Sequence, residues 1–219
     1  AACYGHGLLD PARRSKAVLA EYRVTLGQFG YSAQFLQTPV PLGGGMFKVS
    51  RFTIEPPPVP ADIKRVVRYW DKAGTKGGGA HTAGVLLAQT KRGKFWVLDV
   101  VRGQWSSEER ESIIKQTAIA DGSRYEIGIE QEPGSGGKES AENTVRMLAG
   151  WRVRVDRPTG DKVLRADPYS VQVNYGNVSL SPGEWNRAYL DELQFFPHGK
   201  WKDQVDASSG AFSLLTHRR

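Results

Sequence analysis

Cysteine is nearly missing from this 219-residue chain, and the single Cys3 excludes an internal disulfide and any cysteine-rich zinc site. Four scattered histidines supply no zinc constellation either. No apolar run approaches the roughly 20 residues needed to span a bilayer, and the N-terminal residues lack the basic, apolar, small-residue order of a secretory signal. The expectation is a protein of a reducing compartment such as a cytoplasm. Internal repeats and low-complexity tracts are absent too, and so is a phosphate loop. In Gly134-Ser135-Gly136-Gly137-Lys138, Glu132 stands where the first Gly of that loop belongs, and Glu139 stands where a Ser or Thr must follow the Lys. The stretch reads instead as a glycine turn opening a helix whose N-terminus can face a backbone phosphate.

What is present is enough apolar content, 39% against 24% charged, for one sizeable core. Lys and Arg number 30 against 23 acids, a net charge of +7. Such a surplus suits a polyanionic partner, because basic side chains release counterions from phosphates. It equally suits a basic surface that binds nothing, so charge alone does not decide.

The first sixty residues differ from the rest. Helical patterning runs from about Pro11 to Phe29, a Gly43-Gly44-Gly45 break follows, and Pro56-Pro57-Pro58-Val59-Pro60 is stiff and extended. Residues 1–60 therefore read as a linker or arm leading from another domain, and residues 61–219 as the folded domain. Beyond Pro60, β-rich runs are expected at Arg65 to Asp71, Thr82 to Gln89, Lys94 to Val101 and Tyr125 to Glu130. Two shorter ones follow at Trp151 to Val155 and Asn177 to Leu180. Helices are expected from Ser106 to Ala120, opened by a capping box, then at Lys138 to Leu148 and at Lys162 to Tyr175 apart from Pro168. Two more close the chain, near Trp185 to Leu193 and Asp203 to Leu215. Three consecutive strands followed by alternating helices and strands predict an α/β fold, a mixed sheet with helices on both faces.

Acids sit at the exposed ends of these elements. Asp71 ends Arg-Val-Val-Arg-Tyr-Trp, Glu130 ends Ile127-Gly128-Ile129, and Glu132 lies on the same face if that strand continues. Asp203 and Asp206 project from one face of a helix. Hard divalent cations take oxygen ligands, and phosphodiester hydrolysis is helped by two ions about 4 Å apart. Any one of these acids is more often a turn former or the partner of a nearby Arg. Asp99, in mid-strand near Arg102, reads that way. Only the combination points to a metal site.

That combination is where a family becomes visible. The order strand-acid, two hairpin strands, helix, strand-acid, helix, strand and closing helix acids resembles the ribonuclease H-like nucleases. The local wording is similar to the nuclease domain of phage terminase large subunits. It includes Arg68-Tyr69-Trp70-Asp71, Trp96-Val97-Leu98-Asp99-Val100-Val101-Arg102-Gly103 and Ile129-Glu130-Gln131-Glu132-Pro133-Gly134. Asp161-Lys162-Val163-Leu164-Arg165-Ala166, Phe196-Pro197 and Asp203-Gln204-Val205-Asp206-Ala207 continue the series. Tyr31-Ser32-Ala33-Gln34-Phe35-Leu36-Gln37-Thr38-Pro39 looks like the family's connector between motor and nuclease. The resemblance implies a ribonuclease H-like mixed sheet and a metal-dependent endonuclease that cuts double-stranded DNA during viral genome packaging. It implies two Mg²⁺ or Mn²⁺ ions held by Asp71, Glu130, Asp203 and Asp206, with Glu132 the second choice to Glu130. It also implies a portal protein and a small terminase subunit as partners, the host cytoplasm as the place of action, and an ATP motor elsewhere, since no Walker motif is here. The chain departs from the family at His81, where an Asp is frequent, and at Trp201-Lys202-Asp203, where a His-Asp-Asp run is common.

The basic residues nearest these acids are the candidates for DNA contact: Lys72 and Lys76 beside Asp71, then Lys138, Lys162, Arg165 and Lys202. A solvated charged face is the plainer reading of each. Lys202 stands four residues before Asp206, so the two pair if the helix reaches back that far. Otherwise Lys202 precedes the helix and faces solvent or a phosphate. Two other functions remain open from sequence, a non-catalytic DNA-binding or motor-coupling module and another ribonuclease H-like nuclease such as a resolvase.

Overall fold

The strand Ile63–Asp71 alternates Val67 and Tyr69 to one side with Val66, Arg68 and Trp70 to the other, and both sides are buried. A strand apolar on both faces must lie inside a covered sheet. In the computed structural model it does so. The structure describes residues 13–25, 34–35, 45–73 and 79–217, and the chain divides into two units, Ala1–Gly45 and Met46–Arg219.

In the first unit, helix α1 is Lys16–Thr25, within the helical stretch expected from sequence. Tyr22 stacks on Phe35 at 5.3 Å between ring centroids, and Arg14 lies 5.3 Å over the same Phe35 ring. Most of the connector-like stretch from Tyr31 to Pro39 lies outside the described residues.

The second unit is one seven-stranded sheet with helices on both faces. In chain order its elements are β1 (Thr53–Ile54), β2 (Ile63–Asp71), β3 (Thr82–Thr90), β4 (Phe95–Gly103), α2 (Ser107–Asp121) and β5 (Glu126–Glu130). They continue as α3 (Ser135–Met147), β6 (Arg152–Asp156), α4 (Lys162–Asn174), β7 (Val178–Leu180), α5 (Asn186–Phe195) and α6 (Asp203–Thr216). The sheet order is β1-β7-β4-β3-β2-β5-β6. Strands β2, β3 and β4 form an antiparallel meander, while β2-β5, β5-β6, β4-β7 and β1-β7 are parallel pairs.

Residues 46–60, read from sequence as part of the arm, belong to this second unit. Phe47 is 2% exposed in its core, β1 pairs with β7, and Ser179 Oγ donates to Glu55. The chain divides after Gly45, not at the proline run.

One face of the sheet packs Val67, Tyr69, Val85 and Leu87 against α4, α5 and α6 through Tyr169, Tyr189, Val205, Ala211 and Phe212. The opposite face packs Trp70, Ile127 and Ile129 against Ile114 and Ala118 of α2. The expected capping box forms at Ser106, whose side chain accepts from the Glu109 N–H while Glu109 reaches back to the Ser106 N–H. Helix α6 comes very close to the sheet. A Cβ at Gly210 of α6 or at Gly128 of β5 would overlap the Tyr69 ring, so a glycine on each side is what lets helix and strand close on that phenol.

Candidate metal centre

Parallel pairing puts three strand ends at one edge. Asp71 ends β2, and Glu130 of β5 lies in register with Asp156 of β6. The next contribution comes from α6, whose first turn carries Asp203 and Asp206, respectively 6% and 2% exposed. Helix α6 starts where it does because Glu192 of α5 accepts from the N–H groups of Gln204 (2.6 Å) and Val205 (3.3 Å). A buried carboxylate on those free N–H groups caps the helix and fixes the direction of its first turn. Asp203 is held further by the backbone N–H of His81, which donates to Oδ2 at 2.9 Å. His81 sits edge-on to Trp201 at 4.3 Å, and burial and the nearby Arg102 lower its pKa, favouring the neutral ring.

The electrostatics are those of crowded acids. Asp71 is pushed well above the usual carboxylate range by burial, then by Glu130 and Asp206. Glu130 is raised by burial, against the pull of Arg165. Tyr69 is raised by burial and by Asp156, which accepts its O–H at 3.0 Å. Two cations enter from α4, whose start is fixed by Asp161 accepting from Val163 N–H (2.7 Å) and Leu164 N–H (3.4 Å). Lys162 donates to Asp206. Arg165 stands 3.4 Å from Asp206 and 3.6 Å from Glu130. Even so, Glu130 Oε2 and Arg165 Nε are buried with no hydrogen-bond partner. A desolvated carboxylate oxygen without a donor, among acids already raised, suits an oxygen-seeking cation. As arranged, however, no three of these acids or histidines among the described residues close around a single ion.

The sequence candidates fare differently. Asp71, Glu130, Asp203, Asp206, Lys162 and Arg165 come together. Glu132 is exposed and lies two residues beyond the end of β5. Lys72 corrects its expected role. It is 6% exposed and donates to Ser140 Oγ (2.8 Å), Ser140 O (3.1 Å) and Thr144 Oγ1 (2.9 Å) of α3, so it ties β2 to a helix and cannot reach DNA. Lys76 lies outside the described residues. Lys138 is 61% exposed beside Glu142 at 3.7 Å. Lys202 is the N-cap residue of α6, before the helix, and the ammonium on Asp206 belongs to Lys162 instead. Lys202 lines a cleft of about 520 Å³ with Gly79, Ala80, Lys162, Lys200 and Asp203. Asp99 has the structural role expected of it, though its partner is Arg68 at 2.8 Å and not the Arg102 nearer in sequence.

Asp156 was missed by sequence reasoning, although it ends its strand as Asp71 and Glu130 end theirs. Glu192 was missed with no signal available, since an acid in mid-helix does not announce which neighbouring helix it caps.

A mixed sheet with helices on both faces and acids gathered at one strand edge defines a ribonuclease H-like nuclease fold. The chain belongs to the family of terminase RNaseH-like domains, whose pattern matches residues 68–215. Solved structures with this fold include the large terminase nuclease of thermophilic phage G20c with bound magnesium, at 12% identity and a TM-score of 0.58 over 79% of this chain and 98% of that one. The same G20c domain with bound zinc aligns at 13% identity and a TM-score of 0.57, over 77% of this chain and 97% of that one. The nuclease domain of the large terminase subunit gp2 of bacterial virus Sf6 aligns at 11% identity and a TM-score of 0.53, over 80% and 99%. No curated protein matches the sequence. Membership of this family supports a nuclease role.

Proposed function

We propose that this chain is a divalent-metal-dependent endonuclease that cuts double-stranded DNA during viral genome packaging, using Mg²⁺ or Mn²⁺. The observation that carries this is the convergence of Asp71, Glu130, Asp203 and Asp206 from two strand ends and a helix, with Glu130 Oε2 buried, without a hydrogen bond, and 3.6 Å from Arg165. These four carboxylates would hold the ions, the Asp71 carboxylate lying within the fields of the other three. Bound divalent cations supply a deprotonated attacking water and stabilise the leaving oxygen. The chain's own part is to fix the acids. Helix α6 is pinned by Glu192, Asp203 by the His81 N–H, and Glu130 by the parallel register of β5. Lys200 and Lys202, in the cleft beside Asp203, hold backbone phosphates, which carry no base sequence, so cutting is expected to be nearly sequence-blind. The partners that set specificity in packaging are, by family, a portal protein and a small terminase subunit in the host cytoplasm.

Plasmid nicking in Mn²⁺, Mg²⁺ and EDTA tests the reading. Asp71→Asn and Glu130→Gln should fall below about one-hundredth of the parent rate, since losing even a supporting contact of a metal ligand costs 10–100-fold. Glu132→Gln should cut close to normally. A second reading, a non-catalytic DNA-binding module, is favoured by one observation, that Lys162 rather than other carboxylates meets Asp206. Metal-independent binding with no nicking in any ion would establish it.

A further inference from the structure

Lys162 is placed unlike any other cation of the cluster. Its side chain is 51% exposed, whereas the Asp206 carboxylate it bonds is 3% exposed. The ammonium thus covers a buried acid from the solvent side. Arg165 lies deeper, 21% exposed, and is shared between Glu130 and Asp206. Lys162 is also the first residue of α4, directly after its cap, so its backbone is fixed while its half-exposed side chain reaches out from the helix start. That end borders the cleft where Lys200 and Lys202 stand.

An ammonium and a divalent ion cannot both take the same face of Asp206. For an ion to be held there, Lys162 must leave, and leaving without a new anion strands its charge. A DNA phosphate in the cleft is such an anion. Resting on the proposed nuclease reading, we infer that Lys162 is a removable counter-ion that makes metal loading depend on DNA. In the free protein it closes Asp206. With a strand in the cleft its ammonium passes to a backbone phosphate, and the vacated carboxylate takes the ion. Linkage makes the effect reciprocal: DNA tightens metal binding and metal tightens DNA binding by the same factor.

The test is calorimetric titration of Mn²⁺ into the full chain, alone and saturated with a short phosphorothioate duplex that resists cutting. The duplex mixed with Asp71→Asn protein serves as the baseline for ions held by DNA itself. The parent should bind Mn²⁺ at least about fivefold more tightly with the duplex, the lower end of ordinary couplings. Lys162→Ala should bind Mn²⁺ more tightly than the parent without DNA and lose most of the duplex effect. Lys162→Arg should keep the coupling. Lys202→Ala should weaken DNA binding yet leave the coupling intact, which separates a counter-ion from a simple phosphate contact. Equal Mn²⁺ affinity with and without duplex in the parent, or no gain in Lys162→Ala, overturns the inference while leaving the metal site standing. No Mn²⁺ binding above the Asp71→Asn baseline under either condition removes the metal-site reading, and the inference with it.

Discussion

Strand β2 carries two charged clusters three residues apart, on opposite faces of one sheet, and they are built on opposite principles. Arg68 is 1% exposed and fully engaged: Nε and Nη2 donate to Asp121 at 2.8 and 2.9 Å, Nη2 to Asp99 at 2.8 Å, and Nη1 to the Gly84 carbonyl at 3.1 Å. Its two acids share that one guanidinium, and each of these nitrogens has an acceptor in hydrogen-bond geometry. Around Asp71 two acids are raised by burial and by one another, and Glu130 Oε2, 3.6 Å from Arg165, accepts no hydrogen bond. The residue types are the same, and acids outnumber cations in both. What separates a structural ion pair from a candidate site is whether the hydrogen bonds are complete, since a buried polar cluster left incomplete is tolerated only where something else completes it.

This contrast can be broken at either cluster. The largest expected change in stability is at the complete one. Arg68→Met takes away the guanidinium that bonds both oxygens of Asp121 and should cost about 3 kcal/mol in denaturant unfolding, as when one partner of a buried pair is removed. The loss should come without a change in the cleavage rate of the folded fraction. A cost near zero would mean that Arg68 and its acids are no more than a surface pair.

The incomplete cluster should respond the other way. A carboxyl whose pKa is raised by folding binds more protons folded than unfolded between its ordinary and its raised value. Folding stability contributed by that group therefore falls as pH rises through that window. In EDTA the parent should lose thermal stability as pH climbs above the ordinary carboxylate range, and Asp71→Asn should flatten that decline and raise Tm near neutrality. A Tm that holds or rises over the same window in the parent, with Asp71→Asn no more stable, would show that the cluster is complete after all.

The smallest effect separates exposed from buried lysines. Lys200→Ala with Lys202→Ala should shallow the log–log salt dependence of duplex binding by about 0.9 per lost phosphate contact. Lys72→Ala should leave that slope unchanged, because its ammonium is spent on Ser140 and Thr144. A slope that moves with Lys72 instead would return that residue to the DNA surface.

The long elements were legible because their periodicity and their ends carry signals: the Ser106 capping box, and the apolar runs of β2 and β5 that stop on acids. The helix at Lys162 runs unbroken through Pro168, the one residue the sequence pattern set apart from it. Strand β1, two residues long, is too short for alternation to show, so residues 46–60 read as linker although Phe47 is core. At the site, the acids could be found because strand ends are visible in sequence. Their partners could not. Lys202 is nearer Asp206 in sequence than Lys162 is, yet the packing of α4 against α6 brings Lys162 to it across 44 positions. Lys72 follows Asp71 directly, but with β2 ending there its side chain enters the α3 packing and not the groove.

The Tyr69 ring, with Gly128 on one side and Gly210 on the other, acts as a shim of fixed thickness. The sheet supplies Asp71 and Glu130, the helix supplies Asp203 and Asp206, and the gap between the two layers just behind these acids is one aromatic ring. The spacing of the carboxylates is thereby set by a core contact, not by the loops that border the cleft. Its tolerance is that of close-packed carbon, where a single methyl group is already too much. A side chain added at either glycine would work like a wedge driven at the hinge end, spreading the acids apart while leaving every one of them in place on its own element.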